Sequence, residues 1–348
     1  MGLGLTKRIG AMSTTGKAVL GLFCCLLLLA VVAGGGLFYV QHRLDSHITR
    51  IDGVFDGVPN RPDRPSGRAG DATNILMMGT DARAAQQTTG NDGTGTWMPG
   101  AQRSDTLMLL HIDADGKAAS VISVPRDTWV QVPGHGMAKI NAGFSYGGPR
   151  LAVHTFEHLT GIRVDHIAWI DWDGFRQLTD ALGGVDINVP ETVESSGSTL
   201  TKGVHHFDGE EALAYVRQRH GLPGGDFDRI QRQHNFLRSL MDSTRGSISI
   251  AHPGRAYSIL DAIAANLTVD SGFSTGDLRG LMFQTARMQP DAIEFLTAPV
   301  AGLGMEGAQS VVYLDDERAA QLWHDVRQDQ VDEWVSQNPL DETGRIVR

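Results

Sequence analysis

Residues 103–127 read RSDTLMLLHIDADGKAASVISVPRD, and the reading of this stretch decides the fold. Two apolar runs, Thr106 to Asp113 and Ala118 to Val124, flank Ala114-Asp115-Gly116-Lys117. An Asp-Gly pair between strand-like runs is a strong β-hairpin signal, because the favoured two-residue turn needs positive φ at both central positions. With Asp115 and Gly116 as the turn residues, paired positions sum to 231, and Asp105 lies opposite Arg126. A bulge would shift the match by a residue or two. Two polar clusters, Arg103-Ser104-Asp105-Thr106 and Pro125-Arg126-Asp127, therefore meet at the open end of one hairpin.

Working outward, Asn74 to Gly79 is a continuous apolar run and reads as a buried central strand that ends in the turn Gly79-Thr80-Asp81-Ala82-Arg83. Residues 84–102, rich in Thr, Gly and Gln, form a long loop between two polar clusters, which suits a flap over a site. Downstream, strands and helices alternate. Arg150 to Leu159 is an amphipathic helix stopped by Gly161, Val164 to Ile170 a strand, Asp173 to Leu182 a helix, and Val185 to Val189 a strand. Gly209 to Val216 reads as a helix, and Asp226 as the cap of another that runs to Met241. Ile293 to Leu296 and Ser310 to Tyr313 read as strands, and Asp315 to Arg327 as the last helix. The pattern argues an α/β fold, an α-β-α layered domain around a central mixed sheet, with no separate C-terminal domain.

The chain of 348 residues has a net charge of −10 and a pI of about 5.7. No basic stripe is visible, which argues against a nucleic-acid partner. Both cysteines, Cys24 and Cys25, lie in the uncharged run Ala18 to Val40, so no disulfide framework or thiolate metal site is expected beyond it. That run is long enough to span a bilayer. Lys7, Arg8 and Lys17 precede it, which places residues 1–17 in the cytoplasm and the bulk of the chain outside the cell membrane. A cleaved signal peptide is the competing reading, but the run continues past Val31-Val32-Ala33, long for such a segment. The expected division is a transmembrane helix at 18–40, a Pro- and Gly-bearing linker at 41–71, a catalytic domain at 72–330 and a polar tail at 331–348.

The chemistry lies in acids and arginines. Asp81 and Asp105 sit at strand ends, where α/β sheets place ligands, and paired carboxylates with open water positions suit Mg²⁺. Asp127 reads as an orienting partner for a neighbouring arginine. Arg103, Arg126, Arg217, Arg219 and Arg229 lie near strand ends or helix breaks, and guanidinium forks grip phosphate oxygens bidentately. A lone turn aspartate or surface arginine is ordinary; the grouping, bracketed by glycines, is not. Arg217 and Arg219 would diverge on a regular helix, so either the helix ends before them or only one faces the site. Arg229 and Gln233 share a helix face, with Arg232 near it. Lys139 is a further candidate phosphate contact. His205, His206 and His220 lack zinc-type spacing.

Gly79–Arg83, Arg103–Thr106, Ser123–Asp127, Lys139-Ile140-Asn141, Gly183-Gly184-Val185, and Tyr215–Arg219 with Asp228-Arg229 and Gln233 resemble, in order, the motifs of the LytR-CpsA-Psr family. The resemblance covers residues 72–330. It implies a membrane-anchored phosphotransferase of bacterial cell walls that moves a glycopolymer from a polyprenyl-pyrophosphate carrier to peptidoglycan through a phosphodiester and releases polyprenyl phosphate. It implies Mg²⁺ on Asp81 and Asp105, with Mn²⁺ as an alternative. Arg103, Asp105, Arg126, Arg217 and Arg219 would be catalytic, and Arg103, Arg126, Lys139, Arg217, Arg219, Arg229 and Gln233 would surround the pyrophosphate. An apolar groove under the sheet would hold the lipid tail, but its lining looks like core in the sequence. The residue chemistry agrees, since phosphoryl transfer needs positioning and charge neutralisation more than a covalent nucleophile. The general base is unassigned. Two alternatives stand beside this one: a hydrolase using the same site with water, and a non-catalytic lipid-binding regulator, for which seventeen residues before the apolar run are too few to form an effector domain.

Overall fold

The computed structural model describes residues 43–82, 102–189, 191–195, 198–219, 224–245 and 253–338, with Thr89, Trp97, Gly100 and Leu222. The chain divides into two units, Met1–Ser46 and His47–Arg348, and the fold is that of the second. Its first half carries β1 (Thr49–Ile51), β2 (Thr73–Ala82), β3 (Gln102–Ile112), β4 (Ala119–Ser123), β5 (Trp129–Val132), β6 (Gly136–Lys139), α1 (Asn141–Thr160), β7 (His166–Asp171) and α2 (Trp172–Ala181). Next come β8 (Val185–Val189), β9 (Val193–Ser195), β10 (Ser198–Leu200), β11 (Gly203–Phe207), α3 (Gly209–Arg217), α4 (Asp226–Arg245) and α5 (Pro253–Asn266). The rest is β12 (Thr268–Asp270), α6 (Thr275–Arg287), β13 (Ile293–Thr297), β14 (Val300–Glu306), β15 (Gln309–Leu314), α7 (Asp316–Gln328) and α8 (Val331–Gln337).

One seven-stranded sheet has the order β1-β12-β7-β2-β3-β4-β13. It is mixed: β7 runs parallel to β2 and β13 to β4, while β2, β3 and β4 form an antiparallel meander. The β3–β4 register pairs Met108 with Ser123 and His111 with Ser120, the sum of 231 read from the sequence, but the turn is not the expected two-residue one: Gly116 N–H donates to the Asp113 carbonyl, and of Asp115 and Gly116 only the glycine has positive φ.

Because side chains alternate along a strand, each strand serves two layers. Leu76, Met78, Leu107, Leu109, Ile122 and Trp169 point to one face and pack with Phe156 of α1, Leu322 of α7 and Trp334 of α8. Trp169 is fully buried there, edge-on to Phe144, and its indole N–H donates to Thr80 Oγ1 at 2.8 Å, as a buried indole requires. The other face carries Ile75, Met77, Met108, Leu110, Ala168 and Ile170, and lies over α2, α4, α5 and α6 with a large space between. A smaller core joins the β8–β11 hairpin to α3 and α4.

Several expectations need correction. Residues from Thr49 onward belong to the fold and are not a linker: β1 pairs with β12, Val54 is buried in the core, and Arg61 donates to the buried Glu157 carboxylate of α1. Proline and glycine there exclude regular structure without excluding burial. The domain therefore does not begin at Ala72. Nor is the segment from 331 a polar tail, since α8 buries Val331 and Trp334, and α7 is not the last helix. The turn expected at Gly79–Arg83 is a strand as far as Ala82, carried on by a bulge between Gly79 and Thr80 that keeps it paired with β3. β3 likewise starts at Gln102, so Asp105 lies within it. α1 begins at Asn141, nine residues before the expected start, because helical turns on both sides of Gly147-Gly148 are joined across a kink at which Gly148 has φ +64°. Gly161 ends it in the left-handed region, as read.

Val185–Val189 is a strand, but of the small hairpin, and α4 runs on to Arg245. The flap at 84–102 lies largely outside the described residues, as do His220 and the apolar run 18–40. Among the described residues no helix is long and apolar enough to cross a membrane.

Candidate phosphate site above an apolar cavity

The meander delivers the first half of the site. The bulge turns the end of β2 so that Asp81 pairs with Arg103, and the Arg103 N–H donates to Asp81 Oδ1 at 2.8 Å. Asp81 is nearly buried, at 4% exposure. At the open end of the β3–β4 hairpin, Arg126 Nη1 donates to Asp105 Oδ1. Arg126 Nη2 also faces Asp226 Oδ1 at 3.6 Å. Burial works against the Arg126 charge, but Asp105 and Asp226 outweigh it and hold its pKa above the usual arginine value. Asp127 holds Lys139 Nζ at 3.0 Å and is farther from Arg126 Nε, at 3.8 Å. Its closest partner is thus the lysine, not an arginine as expected.

The helical half supplies the rest. A capping box, with Asp208 and Glu211 exchanging hydrogen bonds, starts α3, and the helix ends at Arg217 because Gln218 is extended, with ψ 132°. In an extended stretch residues two apart share a side. Arg217 and Arg219 accordingly both line the cavity. Gln218 between them accepts from Arg232 Nη1 at 2.5 Å. Arg217 lies over the Trp172 ring, 3.5 Å from its centroid. On α4, Arg229 and Gln233 line the cavity, whereas Arg232 is buried over the Tyr215 ring. Arg229 is almost fully buried, and burial pulls its pKa down to about 10, which leaves it charged at neutral pH.

Asp226 is the residue that sequence reasoning undervalued. Expected as a helix cap, it is the first residue of α4 and gathers three arginines: Arg229 Nη2 at 2.9 Å, Arg219 Nε at 3.6 Å and Arg126 Nη2 at 3.6 Å. Its spacing of three from Arg229 is a weak local signal. The other two partners come from distant segments.

All nine residues singled out from the sequence (Asp81, Arg103, Asp105, Arg126, Lys139, Arg217, Arg219, Arg229 and Gln233) line one cavity of about 1300 Å³. They form its polar mouth. Six cations line the cavity with four carboxylates, Asp81, Asp105, Asp127 and Asp171, and Asp226 stands behind three of the arginines, so a small cationic excess is left to meet a polyanion. Below the mouth the walls are apolar, with Leu178, Leu240, Ile263 and Met282 facing the sheet. Asp81 and Asp105 offer only oxygen donors on the same wall, the donor set a hard divalent cation takes. Asp81 is pre-oriented by the Arg103 amide, and Asp105 already faces a positive charge at Arg126. The pair fits Mg²⁺. His205 and His206 lie elsewhere, with His205 Nε2 2.6 Å from the Thr201 carbonyl and His206 Nδ1 2.7 Å from Asp186.

Fold and mouth together define a class: an α/β domain with an arginine- and aspartate-lined mouth above an apolar chamber. The profile of the LytR_cpsA_psr family matches residues 49–328, and the chain belongs to that family. It is 32% identical over 294 residues to the probable cell wall biosynthesis protein LcpB of Corynebacterium glutamicum, covering 84% of this chain and 68% of LcpB. To the cell wall biosynthesis protein LcpA of the same organism it is 30% identical over 307 residues, 77% of this chain and 59% of LcpA. The polyisoprenyl-teichoic acid–peptidoglycan teichoic acid transferase TagV of Bacillus subtilis is 34% identical over 212 residues, 58% of this chain and 51% of TagV. The crystal structure of B. subtilis TagV superposes with a TM-score of 0.62 at 27% identity, covering 74% of this chain and 97% of that one.

Proposed function

We propose that this chain is a cell-wall transferase that moves a glycopolymer from a polyprenyl-pyrophosphate carrier to peptidoglycan. One observation carries the reading: a mouth of arginines and aspartates opens directly onto an apolar cavity of about 1300 Å³. A pyrophosphate that bears a long hydrocarbon has that same division. The name of TagV, a teichoic acid transferase to peptidoglycan, supports it.

In this reading Arg126, Arg219 and Arg229 hold the pyrophosphate oxygens. Asp226 and Asp105 keep these forks aligned before the donor arrives, so little reorganisation is left for the reaction. Arg103, Arg217, Lys139 and Gln233 complete the rim. The acceptor hydroxyl oxygen bonds to the phosphorus on the glycan side, and the bond from that phosphorus to the bridging oxygen breaks. Polyprenyl phosphate leaves with the electron pair, and the hydroxyl proton goes to a base or to solvent. The arginines take up the charge that develops on the leaving phosphate. Asp81 and Asp105 would hold Mg²⁺, which when bound neutralises pyrophosphate charge as a Lewis acid. The apolar run 18–40 would anchor the chain in the cell membrane with the catalytic domain outside, next to a carrier that cannot leave the bilayer.

The test is turnover of a short lipid-pyrophosphate glycan by the full chain in detergent with Mg²⁺, with and without peptidoglycan fragments, read by mass spectrometry. A glycan-phosphate adduct on the fragment is expected. Release of polyprenyl phosphate and glycan phosphate without an adduct would replace transfer by hydrolysis. Lipid held without turnover would leave only a binding protein.

A further inference from the structure

Six residues beyond Asp105 along β3, about 20 Å away at ~3.3 Å per residue, lies a second cluster that the phosphate site does not use. His111 is fully buried. Its Nδ1 is 2.8 Å from Asn74 Oδ1, an acceptor, so Nδ1 carries the proton. If the ring is singly protonated, Nε2 is its lone-pair side. It is buried without a hydrogen-bond partner, and it faces Asp329 Oδ1 at 3.3 Å and Asp113 Oδ1 at 3.8 Å. A lone pair aimed at two carboxylates is repulsive unless a cation lies among them.

The three ligand atoms lie within 4.8 Å of one another. Tetrahedral zinc with bonds of about 2.0–2.1 Å sets its ligand atoms about 3.3–3.4 Å apart; the His111–Asp329 separation of 3.3 Å matches this, and Asp113, at 3.8 Å from His111, would have to draw in. The arrangement is also supported from behind. Asn74 fixes the ring orientation, as second partners of metal-binding histidines do. The Ala114 N–H, at 3.2 and 3.3 Å, fixes the Asp329 carboxylate. The Asp113 side chain is 29% exposed and leaves a route in. Arg68 reaches Asp329 only at 3.9 Å and is itself 70% exposed. It also pairs with Asp115 at 3.4 Å, so it has a partner to keep when a metal enters.

We propose that His111, Asp113 and Asp329 form a zinc-type divalent metal site, separate from Asp81 and Asp105, that clamps the β3–β4 turn to the C-terminal end of α7. Water completes the shell. The rival arrangement is a protonated His111 paired with Asp329, which binds no metal.

The experiment uses the full chain, stripped with chelator and carrying Asp81→Asn so that the phosphate site does not contribute. It is dialysed against micromolar ZnCl₂ and its metal content measured by mass spectrometry. In parallel, Co²⁺ is added and its visible absorption read for tetrahedral coordination. One zinc per chain and a tetrahedral Co²⁺ spectrum are expected, with the melting temperature raised by about 4 °C at saturating zinc. His111→Gln should remove binding. Asp113→Asn, at a partly exposed position that should fold normally, should weaken it at least tenfold and abolish the thermal shift. No retained zinc, or equal zinc affinity in Asp113→Asn, would overturn the site and leave the imidazolium pair.

Discussion

The two faces of the central sheet are built from the same strands but to different ends. On β2, Leu76 and Met78 meet a filled layer with Phe156 and Leu322, while Ile75 and Met77 look into the cavity. Adjacent residues of α4 divide in the same way: Gln233 faces the cavity, and His234 is sealed against Ser123 and Phe295. Hydrophobicity alone therefore does not distinguish packing from reception. What separates the faces is whether the helices opposite close the gap, and at the hollow face they leave it open beneath a ring of charge.

The largest effect is expected at that ring. Arg126→Ala removes a cation that touches Asp105 and also faces Asp127 and Asp226. Transfer should fall about 10³-fold while circular dichroism still reports a folded protein. Normal turnover by this variant would refute the role given to the ring.

A matched pair of truncations probes the faces themselves. Phe156→Ala on the filled face opens a void in a close-packed layer and should cost about 3–5 kcal/mol. Ile263→Ala on the hollow face enlarges a space that already exists, so its stability loss should be about 1 kcal/mol. Its effect should appear instead as a raised KM for the lipid donor. Denaturant unfolding and donor titration on both variants check the pattern, and equal stability losses would mean that the cavity closes in solution.

The difference between the faces also explains what the sequence disclosed. The β3–β4 register was readable because a short connection centred on Asp115-Gly116 fixes it locally and the strand period carries it to Asp105 and Arg126. The shared direction of Arg217 and Arg219 was half readable, since the glycines after them marked a break without locating it at Gln218. The cavity walls were not readable. Leu240 and Ile263 carry the same side chains as core residues, and only the distance to the opposite layer tells them apart. Thr49–Ile51 and α8 were missed for another reason: short elements among prolines and charges acquire their burial from distant partners, β12 and the main core. Asp226 needed three segments in space before its role could be seen.

His234 sharpens the contrast through pH. Burial drops its imidazole from the ordinary 6.5 to about 3, with Arg238 adding to the shift. Between these values the unfolded chain binds a proton that the folded chain does not. The stability contributed by the neutral ring is thus complete above pH 6.5 and is lost as pH falls toward 3. At about 1.4 kcal/mol per pH unit, the loss at pH 5 is about 2 kcal/mol. His234→Gln should unfold with a shallower dependence on acid between pH 7 and 5, and identical slopes would show that the ring is not sealed.

The smallest effect belongs to Trp172, where the hollow face meets the charged rim. It is the first residue of α2, lines the cavity, and carries Arg217 3.5 Å above its ring. Arg217 is exposed, so the aromatic contact at this site is worth about 0.5–1 kcal/mol. Trp172→Leu keeps an apolar wall but loses the quadrupole that holds the guanidinium in place. The donor KM should rise about two- to fivefold with kcat nearly unchanged, whereas Trp172→Phe, which retains a ring, should recover part of the difference. If Leu and Phe behaved alike, the wall and not the cation would be what Trp172 supports, and Arg217 would owe its position to the end of α3 alone.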